Sequence, residues 1–466
     1  MYTYQDFEKE SSKVDFISRA IQSHLASDVY RTAELADEYD HQRNRTINDY
    51  VRTIWTSTGS AVEDFTASNN KIPSNLFHRL NTQRCMYLLG NGVSFSDHKQ
   101  RVQNADGSVV ITDTTKERLG NTFDTDLQDA GYKALIHGVT FGFWNLDRLY
   151  VFPVTEFVPL WDENTGVLRA GIRFWRLDKD KPATIVLYEE EGYTKYQSSG
   201  KNYSDLVEVE PRTPYKVTVQ RTEADGERIV GSDNYSSLPI VPLWGSKLKQ
   251  STLVGMRQAI DSYDLIRSGF ANDLTDCSQI YWVIENCGGM SPAELARFRD
   301  RLKIQHIAVA DTDNASISPH TQEIPYQARK QYLDDIKAGI YEDFGGLDVH
   351  TIAAGATNDH IDAAYQPMDE EADDFEFQII KFVQQILSLI GIEDTPQFKR
   401  NRVSNQTEQT QTVLLAAQYL DDETILQKLP FISVDEVQNI LARKDTETGS
   451  LMDIDANSPF GEGGDQ

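Results

Sequence analysis

Read along its apolar and polar positions, the chain changes period several times. Residues 2–92 read helical, with polar faces and few breakers, and 28–55 is dense in Arg, Asp, Glu and Asn. Ile72-Pro73-Ser74-Asn75 punctuates this stretch as a turn. Leu76, Phe77, Leu80, Arg84, Met86, Tyr87 and Leu88 then predict an apolar-rich helix, ended by Gly90-Asn91-Gly92. Another short helix is predicted over 121–137, closing at Gly138. From Val139 the pattern alternates β-branched and aromatic residues. The runs 150–161, 167–177, 185–188 and 215–220, separated by Gly, Asn and Asp, predict an antiparallel sheet. Leu238-Pro239-Ile240-Val241-Pro242 cannot continue a central strand or a helix, so it reads as an extended connector.

Beyond it, Leu253, Met256, Ile260, Tyr263, Ile266, Phe270 and Leu274 recur at spacings of three and four, the period of a long amphipathic helix. A small mixed unit is predicted next. It has a strand at 279–285, a turn at Gly288-Gly289, a helix opened by Ser291-Pro292 with Glu294, and a strand at 306–310. Pro325 precedes a second amphipathic helix through Tyr332, Ile336 and Ile340, stopped by Gly345-Gly346. The small-residue stretch 347–360 reads as a loop. A third helix carries Phe375, Ile379, Phe382, Ile386 and Leu389 on one face, with Pro367 in its first part, where a kink is expected. Helices over 406–420 and 421–443 follow a basic stretch at 398–402, and 445–466 runs out in Gly, Asp, Glu and Ser as a disordered tail.

Composition places this pattern in an ordinary globular range. The 466 residues are 39% hydrophobic, 10% aromatic and 25% charged, enough chain for more than one domain. Charge changes the picture more: 45 Lys and Arg against 72 Asp and Glu give a formal net charge of −27. That opposes a simple basic nucleic-acid-binding surface, because phosphate affinity comes from cations that release counterions. Cys85, Cys277 and Cys287 form no CxxC, which argues against a disulfide framework or a thiolate metal site and fits a reducing compartment. The start of the chain is polar and acidic, with no apolar leader, and no stretch reaches the roughly 18 apolar residues of a membrane span. Asp362, Asp369, Glu370, Glu371, Asp373, Asp374 and Glu376 crowd the third helix with no Lys or Arg between them, and read as a solvated face.

Catalytic signals are sparse. Phosphate-binding loop, dinucleotide, GxSxG and HExxH motifs are all missing from the sequence. Asp124-Thr125-Asp126 and Asp311-Thr312-Asp313-Asn314 have the look of metal-binding pairs, yet neither continues into a calcium loop. His137, at a helix end, reads as a dipole partner or core residue rather than a base, and His350 and His360 have no Cys or Ser-Asp pair nearby to act with. A cytosolic acidic α+β hydrolase using Asp124 and Asp126 is the competing reading.

The order of elements resembles the portal proteins of tailed bacteriophages, in the branch typified by phage SPP1. The stretches that carry the resemblance are NTQRCMYLLGNG at 81–92, the His137-Gly138 turn followed by PVTEFVPLWD at 153–162, and 240–244 followed by Ile260-Asp261-Ser262-Tyr263 with Ser268 and Asn272. The similarity spans most of 30–440. It implies an α+β, portal-type subunit assembled as a ring: a mixed α/β wing at 1–250, stem helices at 251–277 and 326–346, and a small α/β clip at 278–325 between them. A tunnel loop at 347–360, a long kinked wing helix with a following strand at 361–405, a helical crown at 406–444 and an acidic tail at 445–466 complete it.

By the same resemblance the chain is no enzyme and takes no cofactor or metal. It forms a dodecameric ring with copies of itself at one capsid vertex, a head-tail connector whose channel serves packaging and ejection of double-stranded DNA. Its expected partners are that DNA, the terminase large subunit, the head-completion adaptor, and the major capsid and scaffolding proteins, in a virion assembled in the host cytoplasm, with no membrane. His350, Thr351, Thr357, Asn358 and His360 of the tunnel loop, and Lys330 and Lys337 on the second stem helix, would face DNA. Met256, Ile260, Tyr263, Phe270 and Ile336 would form the subunit interface.

Overall fold

The computed structural model describes residues 2–444 except 56–58, 66, 98, 104–108, 201, 223–225, 277–280, 286–290, 292, 295–296, 298–315, 321–324, 350–357, 403–405, 430, 433–435, 438 and 442. Helices α1 (Tyr4–Lys9), α2 (Lys13–Leu25) and α3 (Asp28–Asp40) open the chain. Each begins on a hydroxyl cap, with Thr3, Ser12 and Ser27 accepting from the amide three residues on. After α4 (Arg45–Asn48), capped by Asn44, the helical expectation for 2–92 fails: β1 (Thr53–Trp55) and β2 (Ala61–Glu63) pair as an antiparallel hairpin. Thr, Ile, Trp and Val favour a pleated backbone, and Gly59, at φ +79°, supplies a turn conformation that helices do not use. Helix α5 (Leu76–Leu89) then forms as expected and leads into β3 (Val93–Phe95), the hairpin of β4 (Lys99–Gln103) and β5 (Val109–Asp113), α6 (Thr114–Leu119) and α7 (Phe123–His137).

Gly138 ends α7 with φ +87°, and a Cβ there would meet the backbone of Gln250 and Ser251 at 2.7 Å, so both conformation and space require glycine. Strands β6 (Val139–Asn145), β7 (Arg148–Pro153), β8 (Phe157–Trp161), β9 (Leu168–Trp175), β10 (Ala183–Glu189), β11 (Gly192–Ser198) and β12 (Val207–Thr213) follow. All their pairings are antiparallel, as the alternation predicts. Five of them form a meander in the order β12-β11-β10-β9-β8. The hairpin of β13 (Lys216–Thr222) and β14 (Gly226–Asp233) comes next.

The 238–242 connector is corrected: β15 (Ile240–Trp244) is a strand, at the edge of a sheet ordered β15-β6-β7. Trp144 N donates to Pro239 O and Gly245 N to Gly138 O, so the odd-numbered residues of β15 turn their polar groups toward β6. Pro242, opposite Phe141, therefore falls where its missing amide would have faced away from the sheet.

Helices α8 (Leu253–Asp276) and α9 (Tyr326–Phe344) form where the two amphipathic helices are predicted, and between them β16 (Tyr281–Glu285), within the predicted strand at 279–285, pairs antiparallel with β17 (Ser316–His320), a strand not among those expected. Of the predicted helix opening, Ser291 donates through its amide and hydroxyl to Glu294 at 2.8 Å. The predicted strand at 306–310 and the Gly288-Gly289 turn lie outside the described residues. Helix α10 (Asn358–Leu389) continues through Pro367. Then come β18 (Pro396–Phe398), paired with β3, α11 (Gln406–Ala416) and α12 (Asp422–Lys428). The single helix expected over 421–443 is broken at Leu429, whose backbone is extended ahead of Pro430, since proline disfavours helical geometry in the residue before it. The tail at 445–466 is outside the described residues.

The chain forms two compact units, one of residues 1–41, 75–257 and 341–466, the other of 42–74 and 258–340. The stretch 42–74 groups in the second unit with residues 258–340, which hold most of α8 and α9. In the first unit, the apolar stripe of α10, with Phe375, Ile379, Phe382, Val383 and Ile386, packs into one core with α5, α7 and the β15-β6-β7 sheet. Gly142 of β6 makes room for it: a Cβ there would lie 2.4 Å from the Phe382 ring. Helices α1 and α2 cover the five-stranded meander through Phe7 of α1 and Phe16, Ile17 and Ile21 of α2, in one core with Leu160, Ile172, Ile185 and Leu187.

Candidate functional site at the helix bases

The stretch 81–92 lies on α5, and its polar side chains are spent on the ends of other elements. Asn81, fully buried, accepts from Thr252 Oγ1 at 2.9 Å just before α8 begins. Gln83 clamps the backbone of Leu347 twice: its amide donates to Leu347 O at 2.9 Å and accepts from Leu347 N at 3.0 Å. Arg84, only 6% exposed, donates to Phe344 O, stacks 4.0 Å from the Phe344 ring centroid and pairs with Glu371 of α10 at 3.2 Å. Burial pulls its guanidinium below the ordinary arginine value, with Glu371 and Asp374 opposing.

The end of α9 explains why an arginine sits there. Gly345, at φ +65°, and Gly346 return their amides to Glu342 O at 3.0 Å and Tyr341 O at 2.8 Å, the paired bonds of a glycine C-cap. Arg84 supplies a donor to the terminal carbonyl of Phe344, and its positive charge suits a helix C-terminus. Helix α5 thus fixes the start of α8, the end of α9 and the first residue of the 347–360 stretch.

The acidic half of α10 is solvated at Asp362, Glu370, Glu371 and Asp373, as its sequence predicts, but it is also tied to arginines. Arg400 reaches Asp369 at 2.7 Å, Glu376 at 3.1 Å and also Asp373, while Arg402 reaches Asp362 at 3.1 Å and also Asp369. Tyr87 OH adds a bond to Asp369 at 2.5 Å, accepts from Arg402 Nε at 2.8 Å and stacks on Tyr365 at 5.6 Å. Burial alone would raise the Asp369 carboxyl, but hydrogen bonds from Tyr87, Arg400 and Arg402 bring it below its ordinary value. Burial, reinforced by Asp369, pushes the Tyr87 hydroxyl up to about 12. With Arg84 on Glu371, five of the seven carboxylates in the run have an arginine partner, and Asp374 accepts from Lys247 N at 2.9 Å. The sequence signal was the basic stretch at 398–402, whose target is distant in sequence.

The residues expected at sites fall as follows. Met256 and Ile260 are 5% and 2% exposed in the single chain. Tyr263, Phe270 and Ile336 are half-buried, and Phe270 meets Tyr326 at 5.7 Å between ring centroids. Lys330 is exposed and Lys337 half-buried. His360 is exposed near the start of α10, and Asn358 is its first residue. His350, Thr351 and Thr357 lie outside the described residues. The hydrolase reading loses its acids: Asp124 accepts from Val93 N at 3.1 Å and pairs with Lys116 at 3.2 Å, and Asp126 pairs with Arg148 at 3.3 Å. Asp311 and Asp313 are outside the described residues. His137 is a core residue, bonded through Nε2 to Asp37 at 2.7 Å. Cys85 is buried, and burial pushes its thiol up to about 12, the inert rather than the reactive condition. Among the described residues no helix is long and apolar enough to cross a membrane, and no three His, Cys, Asp or Glu side chains cluster as metal ligands.

A protein named "Portal protein" from Clostridium phage phiCD119 is 23% identical over 466 aligned residues, covering 94% of this chain and 98% of its own. The "Portal protein" of Bacillus phage SPP1 is 24% identical over 442, covering 89% and 83%. A chain from a solved structure, "Neck of native GTA particle computed with C12 symmetry", aligns over 76% of this chain and 89% of its own length at 10% identity, with a TM-score of 0.39. The family described as "Phage portal protein, SPP1 Gp6-like" matches residues 18–450, so the chain belongs to the SPP1-type family of phage portal proteins.

Proposed function

We propose that the protein assembles as a ring, a dodecamer, at one vertex of a phage capsid and forms the channel through which double-stranded DNA is packaged and later ejected. The family match over 18–450 carries this reading. In it, α8 and α9 are the stem helices, the 278–325 segment between them is the clip that docks the terminase large subunit and then the head-completion adaptor, residues 1–250 and 361–405 are the wing that meets capsid and scaffolding proteins, and 406–444 is the crown. The protein is then no enzyme: the motor chemistry belongs to the terminase. The clamp on α5 supports the assignment, because a stem must be anchored where its helices enter the wing, and Asn81, Gln83 and Arg84 hold those entry points.

A closed ring needs a heterologous interface, in which two different surfaces of one chain meet. Met256, Ile260, Tyr263, Phe270 and Ile336 are assigned to that interface, and among the described residues of these two helices Val254, Leu265 and Leu274 on α8 and Tyr326 and Tyr332 on α9 add exposed apolar surface to it. Lys330, Lys337, His350, Thr351, Thr357, Asn358 and His360 are assigned to the channel side, where weak cationic contacts in an acidic protein let DNA slide without the salt-dependent capture of a strong binder. Negative-stain electron microscopy with mass determination tests the reading. Rings with a central hole and a mass near that of a dozen subunits are expected, and a compact dimer or tetramer would overturn it.

A further inference from the structure

One face of α8 carries Asp261, Asp264, Ser268, Asn272 and Thr275, at helical spacings of three and four, and every one of them binds the 44–74 segment. Thr46 Oγ1 donates to Asp261 at 2.9 Å. Ile72 N donates to Ser268 Oγ at 3.1 Å, Asn70 N to Asn272 Oδ1 at 2.5 Å, and Asn70 Nδ2 to Thr275 Oγ1 at 3.3 Å. Asp264 is the unusual member. It is a carboxylate with 0% exposure, and its two oxygens accept from the two ends of the segment: Asn44 Nδ2 at 2.8 Å and Ser74 N at 2.9 Å.

We propose that Asp264 is a positioning residue whose carboxylate staples both ends of the 44–74 excursion to α8 and so fixes the register of the whole ladder. A carboxylate is seldom buried without donors, and here the donors come from positions thirty residues apart in sequence that meet on one side chain. Asn44 is committed on both sides: while its amide donates to Asp264, its carbonyl oxygen accepts from Ile47 N at 3.3 Å and caps α4. It cannot flip to repair a change at Asp264 without losing that cap. The consequence is that the hairpin of β1 and β2, with Trp55 and Phe65 open to solvent, belongs to the body of α8 and goes where that helix goes. This holds whether or not the chain forms a ring.

Hydrogen–deuterium exchange on the full chain tests it. Asp264→Asn keeps shape but offers one acceptor oxygen for two donors. The amides of Ile72 and Ser74 should lose protection by about tenfold, the scale of one lost buried hydrogen bond, while β9 and β10 stay unchanged. The double variant N44D/D264N exchanges the two side chains and restores every pairing. The amide placed at position 264 accepts from Ser74 N and donates to the carboxylate placed at position 44, whose second oxygen caps Ile47. It should return exchange to the wild-type rate. Ser268→Ala, which removes only the rung to Ile72, is the safeguard should Asp264→Asn fail to fold, and should raise exchange at Ile72 and leave Ser74 protected. Unchanged protection at 70–74 in Asp264→Asn would overturn the proposal. So would a double variant no better than the single, or Ser268→Ala deprotecting Ser74 as strongly as Ile72.

Discussion

Two aspartates, one in each unit, show opposite ways of keeping a carboxylate in a protein. Asp264 on α8 is shut away from water with an amide side chain and a backbone N–H as its nearest donors, and burial holds its carboxyl above the ordinary value against the pull of Asn44, Ser74 and, more weakly, Arg267. Asp369 on α10 is part-exposed, accepts from Arg400, Arg402 and Tyr87, and is held below the ordinary value despite its partial burial. Neutral donors orient a carboxylate without compensating for lost water, whereas cations compensate and also attract. The first arrangement is suited to fixing geometry. The second ties the acidic half of α10 to the basic stretch that follows β18, two segments that each carry an excess of one sign.

The comparison breaks most sharply at Arg84, the buried cation that combines both roles. Replacing it by methionine keeps much of the volume but leaves the Phe344 carbonyl without its buried donor, a loss of roughly 1–3 kcal/mol. Lysine should recover only part of it, because a single ammonium cannot stack on Phe344 and serve Phe344 O and Glu371 in one fixed fork. Thermal unfolding of the three chains should order them wild type, lysine, methionine. Equal melting of the lysine variant and wild type would show that charge alone matters at this post.

How far these features are legible in the sequence follows from their range. Helices α8 and α9, the sheet from Val139 and the ends at Gly138 and Gly345 rest on local period and on glycines with positive φ, and such signals lie within a few residues. The hairpin at 53–63 escapes such a reading because each strand is three residues long, too short to show a period against a polar background. Strand β15 escapes it because prolines weigh as strand breakers, when an edge tolerates a proline whose nitrogen faces outward. Of the site, the motif 81–92 and the residues Ser268 and Asn272 are visible as pattern, but their partners at 344–371 and 70–72 are set by tertiary packing alone. Met256 and Ile260 show the limit from the other side: helical spacing identifies an apolar face but not whether its own chain or a neighbour covers it.

A pH series sharpens the comparison. Asp369 binds its proton less readily in the folded chain than in the unfolded one, so its stabilisation is present above the unfolded carboxyl value and is lost as pH falls through that region. Asp264 binds its proton more readily when folded, so its stabilisation is present at low pH and is lost as pH rises through its raised value. Urea midpoints between about pH 3 and 7 should therefore gain in acid resistance for Asp369→Asn relative to its own neutral-pH value. Asp264→Asn should lose part of the relative advantage that the wild type has at low pH. If both variants shift the profile in the same direction, the two environments are not opposite in kind.

Salt should separate the regions by the smallest margin. The pairs of Arg400 and Arg402 keep side-chain exposures of 20–65%, open enough for mobile ions to reach them, and exposed pairs contribute only about 0–1 kcal/mol each. Raising ionic strength from roughly 0.1 to 1 M shortens the screening length from about 10 to 3 Å, so the wild type should lose a few tenths to about 1 kcal/mol that the double variant R400Q/R402Q has already lost. The ladder on α8 should not follow, since its bonds run to amides and hydroxyls and the buried carboxylate of Asp264 is out of reach of solvent ions. Exchange at 70–74 measured at both salt concentrations, beside the global midpoint, separates the two. A salt-dependent ladder with a salt-independent midpoint would reverse the assignment, placing the electrostatic joint on α8 and leaving the arginines of 400–402 to act through packing against Tyr87 and Tyr365.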